Sequence, residues 1–249
     1  MDKNLNGRIA LVTGASSGIG EATALALAEA GSKVAITARR KDRLEALAAK
    51  IRQGGGEAFV IEADLASEEQ AQRAVRQTEE HFGRLDILIN NAGVMYLEPV
   101  IEADLRRWRH MFELNVLGVI AASQAALKGM RDRRDGHIVN VSSTAGRFAN
   151  AMGAGYSATK FAVVAFSEAL RKEVYSDNIR VTVIEPGLVD TELREHIADA
   201  DVQKTIKAWA EGLRQLTSED VARTILFAVS QPPHVNINEI LMRPTDQER

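Results

Sequence analysis

The stretch Arg8-Ile9-Ala10-Leu11-Val12-Thr13-Gly14-Ala15-Ser16-Ser17-Gly18-Ile19-Gly20 decides the fold. Its first half is a short apolar run of the kind buried on both faces of a parallel sheet. A glycine-rich turn follows, and a helix opens inside it. Helix N-termini carry free N–H groups and partial positive charge, so they bind phosphate. Gly14 lets the chain turn sharply off the strand. Gly18 lets the backbone approach a pyrophosphate, and Gly20 lets the helix pack against the sheet. Ser16, Ser17 and Ile19 complete the loop. The alternative is an ordinary strand-to-helix turn. Its place at the first such junction of a parallel sheet favours dinucleotide binding.

Outward from this stretch, short and long hydrophobic periods alternate. Residues 8–13, 33–38, 57–62, 85–90, 137–142 and 180–185 read as buried strands. Longer amphipathic segments lie between them at 19–30, 43–53, 68–82, 104–130 and 161–176. A last strand is expected at 239–242. Ser218 is a candidate N-cap for a final helix over 219–230, which Pro232-Pro233 ends. The expectation is an α/β single-domain Rossmann fold over residues 1–249: a doubly wound parallel sheet of about seven strands with helices on both faces. Gly54-Gly55-Gly56 reads as a turn, not a boundary. Residues 191–216 fit the alternation least well and are expected to form two short helices outside the sheet, a substrate lid. Residues 243–249 form a C-terminal tail.

The 249 residues are 45% hydrophobic, enough to bury a large core. A net charge of −3 gives no reason to expect a nucleic-acid or anionic-membrane partner. The absence of cysteine excludes disulfides, thiolate metal sites and a cysteine nucleophile. It fits a reducing, cytoplasmic location. No signal-peptide core and no membrane-spanning run is evident. The five histidines are scattered, so no metal is expected.

The second strand should end beside the adenosine ribose of a dinucleotide. It ends Ala35-Ile36-Thr37-Ala38-Arg39-Arg40, with no carboxylate at its tip. A carboxylate there holds the 2′-hydroxyl of NAD; a guanidinium suits the 2′-phosphate of NADP. Cations at a helix start are slightly unfavourable, which argues for a purpose beyond solvation. Arg39 and Arg40 therefore point to NADP(H).

Tyr156 and Lys160 stand four apart in Tyr156-Ser157-Ala158-Thr159-Lys160, at the start of a predicted helix. Residues i and i+4 share a helix face, so both can point into one cleft. A free tyrosine titrates near pH 10. A fixed positive charge nearby lowers that value and makes the phenol a usable acid or base.

Together these motifs resemble the short-chain dehydrogenase/reductase family over nearly the whole chain. The matching pieces are Thr13-Gly14-x-x-x-Gly18-Ile19-Gly20, Asp64, Asn90-Asn91-Ala92-Gly93, Asn115, Ser143, Tyr156-x-x-x-Lys160 and Pro186-Gly187. The resemblance implies that Tyr156 gives a proton to a carbonyl oxygen in reduction and takes one in oxidation. It implies that Lys160 lowers the tyrosine's pKa and bonds the nicotinamide ribose. Ser143, at the family's usual spacing from Tyr156, would donate to the reacting oxygen, and neighbouring Ser142 would point elsewhere. Asn115 would hold a water that links Lys160 to solvent; the bland alternative is a helix asparagine satisfied locally. Asp64 and Leu65 would contact adenine. Asn91, Ala92 and Gly93 would bring backbone close to the cofactor. Pro186, Gly187, Val189 and Thr191 would hold the nicotinamide.

Candidate substrate residues are Met95, Tyr96, Arg147, Met152, Leu188, Leu193 and Trp209. Arg147 is the odd one among apolar neighbours. It either binds a substrate carboxylate or lies at a surface or subunit boundary. The tail and Thr191-Glu192-Leu193-Arg194 resemble the branch containing clavulanic acid dehydrogenase and, more distantly, malonic semialdehyde reductases and serine and 3-hydroxy acid dehydrogenases. The resemblance thus implies NADP(H)-dependent interconversion of an aldehyde or ketone with its alcohol. Alternatives are a broad carbonyl reductase and a non-catalytic NADP-binding sensor or scaffold. The family forms homodimers or homotetramers. Ala121, Ala122, Ala125 and Ala126 could serve that contact or face the sheet, and the tail could cross to a neighbouring subunit.

Overall fold

The structure is a computed structural model and describes residues 5–196, 203–204, 208–210 and 212–248. Seven parallel strands form one sheet: β1 (Ile9–Thr13), β2 (Lys33–Ala38), β3 (Glu57–Glu62), β4 (Ile87–Asn90), β5 (Gly136–Val141), β6 (Ile179–Pro186) and β7 (Glu239–Met242). Their order is β3-β2-β1-β4-β5-β6-β7, so the winding reverses between β1 and β4. A crevice opens at such a reversal, beyond the C-terminal ends of the strands. Helices α1 (Gly18–Glu29), α2 (Lys41–Gln53), α3 (Glu68–Phe82), α4 (Leu105–Phe112), α5 (Gly118–Arg133), α6 (Ala154–Val174) and α7 (Ser218–Val229) fill the connections. The sheet separates two apolar clusters. One gathers Val12, Leu27, Ile36, Leu44 and Ile225, the other Leu11, Leu88, Met111, Met130 and Ile138. All five residues of β1 are buried, as a central strand between helix layers requires.

The structure corrects two local expectations and places the alanine face. The single helix read over 104–130 is divided by a π-helical turn at Glu113–Leu117. A β-carbon at Gly118 would collide with the Leu65 carbonyl, and Asn115 is drawn to Val94; this close contact with the strand ends widens the turn. The cap of α7 is Thr217, not Ser218. The Thr217 hydroxyl accepts from the Asp220 N–H at 3.2 Å, and Asp220 Oδ2 accepts from the Thr217 N–H at 2.8 Å. This reciprocal box satisfies two end groups where a lone serine would satisfy one. Ala121, Ala122 and Ala126 are buried in the second cluster, so the small-residue face lies against the core. Phe112, Leu117 and Phe161 are the exposed apolar side chains of this region. Of the predicted lid, a 3-10 turn at Glu192–His196 and a parallel bridge between Val189 and Leu216 lie in the described part. Residues 197–202, 205–207 and 211 fall outside it.

His137 in β5 is fully buried. Its Nε2 lies 2.8 Å from Thr182 Oγ1, and Nδ1 has no hydrogen-bond partner. Burial, helped by the charges of Arg180 and Arg8, holds the imidazole well below its usual pKa. Unfolded, the same histidine takes a proton near pH 6.5. Below that pH the unfolded chain binds one more proton than the native one, so stability falls as pH falls. The expected slope is up to about 1.4 kcal/mol per pH unit from this group. Urea titrations between pH 7 and 5 should show the loss, and His137→Gln should flatten the slope. Equal slopes in the two proteins would assign the acid sensitivity to other groups.

Candidate active site

At the C-terminal edge of the sheet lies a cleft of about 860 Å³. It runs from the tip of β2, past the loop between β1 and α1, to the first turn of α6 and the segment after β6. Every predicted cofactor residue lines it except Gly20. Gly20 acts from behind, because a β-carbon there would strike the Gly14 carbonyl. Gly14 has φ of +66°, and its β-carbon would stand 2.8 Å from Ala92 Cα. Gly18 has φ of +58°, and its β-carbon would stand 3.2 Å from Thr191 Cγ2. The loop is thus a close-walled cradle that only glycine can form.

The cradle is fixed to β4 through Thr13. Its hydroxyl donates to the Ile89 carbonyl at 3.1 Å and accepts from the Asn91 and Ala92 N–H groups at 2.9 and 3.1 Å. The Asn91 amide donates back to the Thr13 carbonyl at 2.9 Å. Asn91 therefore braces the loop with its side chain while Asn91-Ala92-Gly93 presents backbone to the cleft.

The two predicted arginines differ. Arg39 lines the cleft and makes no hydrogen bond or ion pair among the described residues. Arg40 donates to Ser16 Oγ at 3.1 and 2.9 Å and to Ser17 Oγ at 2.7 Å, and it pairs with Glu192 at 2.7 Å. Arg43 also pairs with Glu192, at 2.6 Å. Sequence reasoning missed both Arg43 and Glu192. Nothing in the chain signals a pairing across about 150 residues.

At the other end, Ser143, Tyr156 and Lys160 converge. Ser143 lies two residues past β5 and caps the turn Thr144–Gly146: its Oγ accepts from Ala145 N–H at 3.1 Å and lies 3.4 Å from the Pro186 carbonyl oxygen. Ser142 spends its hydroxyl on the Lys160 carbonyl at 3.1 Å, joining β5 to α6. Tyr156 and Lys160 are buried on one face of α6. Burial pushes the phenol up to about 12, against a hydrogen bond from Ser143 that draws it down. Burial also lowers the Lys160 ammonium to about 8. The ammonium donates to the Val141 carbonyl at 2.9 Å and stands 5.7 Å from the Tyr156 ring centroid. The expected lowering of the phenol by Lys160 is therefore not found. Desolvation dominates, and the ammonium is turned toward Val141.

Asn115 lies behind the cleft wall and does not line it. Its Oδ1 accepts from Val94 N–H at 2.9 Å, and its Nδ2 donates to the Val94 carbonyl at 2.9 Å and to Thr159 Oγ1 at 3.1 Å. Both ends of the amide are engaged, so the side chain braces the wall near Lys160.

Of the candidate substrate residues, Met95, Leu188, Leu193 and Trp209 line the cleft; Tyr96, Met152 and Arg147 do not. Arg147 is engaged by the buried carboxylate of Glu185 at 2.7 Å and by Glu239. Phe148 and Gln247 line the cleft instead. The tail folds back on its own chain. Gln247 Oε1 accepts from Leu188 N–H at 2.8 Å, Arg214 pairs with Asp246 at 2.8 Å, and Arg243 stands 5.3 Å from the Phe148 ring centroid. Among the described residues no group of three histidine, aspartate or glutamate side chains could hold a metal, and no helix is long and apolar enough to cross a membrane.

Residues 8–202 match the short chain dehydrogenase family. The glycine betaine reductase ATRR of Emericella nidulans is 40% identical over 245 residues; the match covers 98% of this chain, which spans only 19% of that protein's length. Dehydrogenase/reductase SDR family member 11 of Gallus gallus is 39% identical over 249 residues, and 97% of each chain is covered. The closed form of a serine dehydrogenase complexed with NADP+ superposes with a TM-score of 0.89 at 35% identity, covering 97% of this chain and 96% of that one.

Proposed function

The chain belongs to the short-chain dehydrogenase family, and from that premise we propose that it is an NADP(H)-dependent oxidoreductase interconverting an aldehyde or ketone with its alcohol. One observation carries the reading. Ser143 and the buried Tyr156 and Lys160 stand in the same cleft as the glycine cradle, so proton donor and dinucleotide share one cavity. The cradle fits the cofactor: β-carbons at Gly14 and Gly18 would press on Ala92 and Thr191, so only glycine gives this tight turn beside the cleft, where a pyrophosphate can approach the backbone. The serine dehydrogenase neighbour, which holds NADP+, supports the same choice.

NADPH supplies the hydride when bound; the protein's part is orientation and charge. The Ser143 hydroxyl donates to the substrate oxygen and stabilises negative charge as it develops. Tyr156 is protonated at any working pH, since its phenol is pushed up to about 12. It is therefore ready as an acid for reduction. Once its proton has left, the phenolate finds an ammonium already fixed beside it. The cost of burying that charge is borne by the folded state, so the attraction is realised only as the reaction proceeds. Any pull of Lys160 on the phenolate draws the phenol's pKa down by the same amount; in the resting protein burial outweighs it.

The substrate end is walled by Met95, Leu97, Phe148, Leu193 and Trp209. Arg194 lines it too; its Nη2 is held by Gln215 at 2.7 Å, while its buried Nη1 has no hydrogen-bond partner among the described residues. The mostly apolar wall suits apolar carbonyl compounds, which favours a broad carbonyl reductase. Arg39 is the free guanidinium for a 2′-phosphate. Arg39→Ala should raise the KM for NADPH about tenfold or more, the value of a charged hydrogen bond, and leave the KM for NADH within about twofold. An unchanged KM for NADPH would remove Arg39 from the site.

A further inference from the structure

The carboxylate of Glu192 lies between two guanidiniums. Arg40 donates to Oε2 at 2.7 Å and Arg43 to Oε1 at 2.6 Å. Arg40 also donates to the hydroxyls of Ser16 and Ser17, at 2.7 to 3.1 Å. Two cations from the start of α2 and two hydroxyls from the glycine loop therefore meet at one place, the adenosine end of the cleft. This donor set is larger than a carboxylate needs. It suits a phosphomonoester dianion, whose three free oxygens accept from several donors at once. The anion found there is the chain's own, reaching over from the segment after β6 beside Thr191, whose methyl group packs on Gly18. The two arginines hold the Glu192 carboxyl at about 2, so it is ionised at every working pH. The three side chains are each 36 to 45% exposed. Ion pairs this exposed contribute little and exchange readily.

We propose that Glu192 is an internal occupant of the 2′-phosphate site and a specificity-determining residue: its carboxylate holds Arg40 and Arg43 until the 2′-phosphate of NADP(H) takes its place. The proposal rests on the reading of NADP(H) as cofactor. Two anions cannot share the same two guanidiniums without repulsion, so phosphate and carboxylate exclude each other. NAD(H) carries a neutral 2′-hydroxyl, which neither repels Glu192 nor gains from displacing it. Removing the Glu192 charge therefore acts on one cofactor and not on the other. Arg43, freed from Glu192, becomes a further phosphate ligand alongside Arg39 and Arg40.

The test is a set of dissociation constants, measured by titration calorimetry on the full-length protein for NADP+, NAD+, 2′,5′-ADP and 5′-AMP. Glu192→Gln should tighten NADP+ and 2′,5′-ADP about fivefold, the scale of one partly solvated charge interaction, and leave NAD+ and 5′-AMP within about twofold. Glu192→Asp should keep the parent preference, and Arg43→Ala should weaken only the two phosphorylated ligands. A Glu192→Gln protein that binds NADP+ no more tightly than the parent, or that loses NADP+ and NAD+ equally, would overturn the proposal; equal loss would mean that the ion pair clasps any dinucleotide. If the parent protein itself binds NADP+ no better than NAD+, the cofactor reading has failed, and the proposal with it.

Discussion

Tyr156→Phe is expected to lower kcat for carbonyl reduction by about two to four orders of magnitude, the usual worth of a positioned proton donor, while NADPH binds as before. The change deletes one oxygen and keeps the ring. Burial holds that oxygen protonated, and a hydrogen bond joins it to Ser143, which also lines the cleft. No other described side chain that faces this end combines a transferable proton with contact to Ser143. The ring packs in the second apolar cluster, so the phenylalanine protein should fold and melt no lower than the parent. Loss of rate with binding and stability retained marks a group that acts on the reacting atoms. Activity within about tenfold of the parent would show that the proton comes from elsewhere.

Lys160→Met should separate stability from function. The ammonium is buried and lowered to about 8, against 10.5 in water. Between those values the unfolded chain holds a proton that the native one lacks, so stability rises with pH from about 8 to 10.5. Below pH 8 the native state bears the full cost of the buried charge, about 3 kcal/mol from the shift. Methionine removes that cost. It also strands the Val141 carbonyl, which takes back about 1 to 3 kcal/mol. The variant should therefore melt no lower than the parent at pH 7. Its turnover should nonetheless fall at least about a hundredfold, since the phenolate left by proton transfer has lost its counter-charge. The parent's affinity for NADPH should weaken as pH rises past about 8 and the ammonium is lost. The methionine protein should bind more weakly at every pH, without that inflection. A clearly lowered melting point at pH 7, or an inflection that persists in the variant, would contradict this account of Lys160.

The sheet was legible because each strand is a short apolar run and each helix an amphipathic one; the strand read at 239–242 is β7 as observed. The cofactor cradle and the Tyr156–Lys160 pair were legible because their spacing is local, set by one turn and one helix face. What escaped the sequence is set by contacts between distant segments. The π turn at Glu113–Leu117 follows from the approach of Gly118 to Leu65, which no periodicity records. Arg147 stood out as a lone cation until folding brought Glu185 and Glu239 against it. Arg40 and Glu192 lie 152 positions apart, so the anion between the arginines was invisible. The direction of the Tyr156 shift was misjudged for a related reason. The sequence shows a charge one helical turn away but not the desolvation that outweighs it.

The central claim is that NADPH and a carbonyl compound meet at the Tyr156 phenol. Loss of NADPH absorbance, followed with purified protein against a panel of aldehydes and ketones with and without a carboxylate, tests it most directly. Tyr156→Phe and an NADH series run alongside. The account predicts oxidation of NADPH in preference to NADH, fastest with apolar carbonyl compounds, and its collapse in the phenylalanine protein. Tight NADPH binding with no oxidation above the blank on any carbonyl compound would contradict it and point to a non-catalytic dinucleotide sensor.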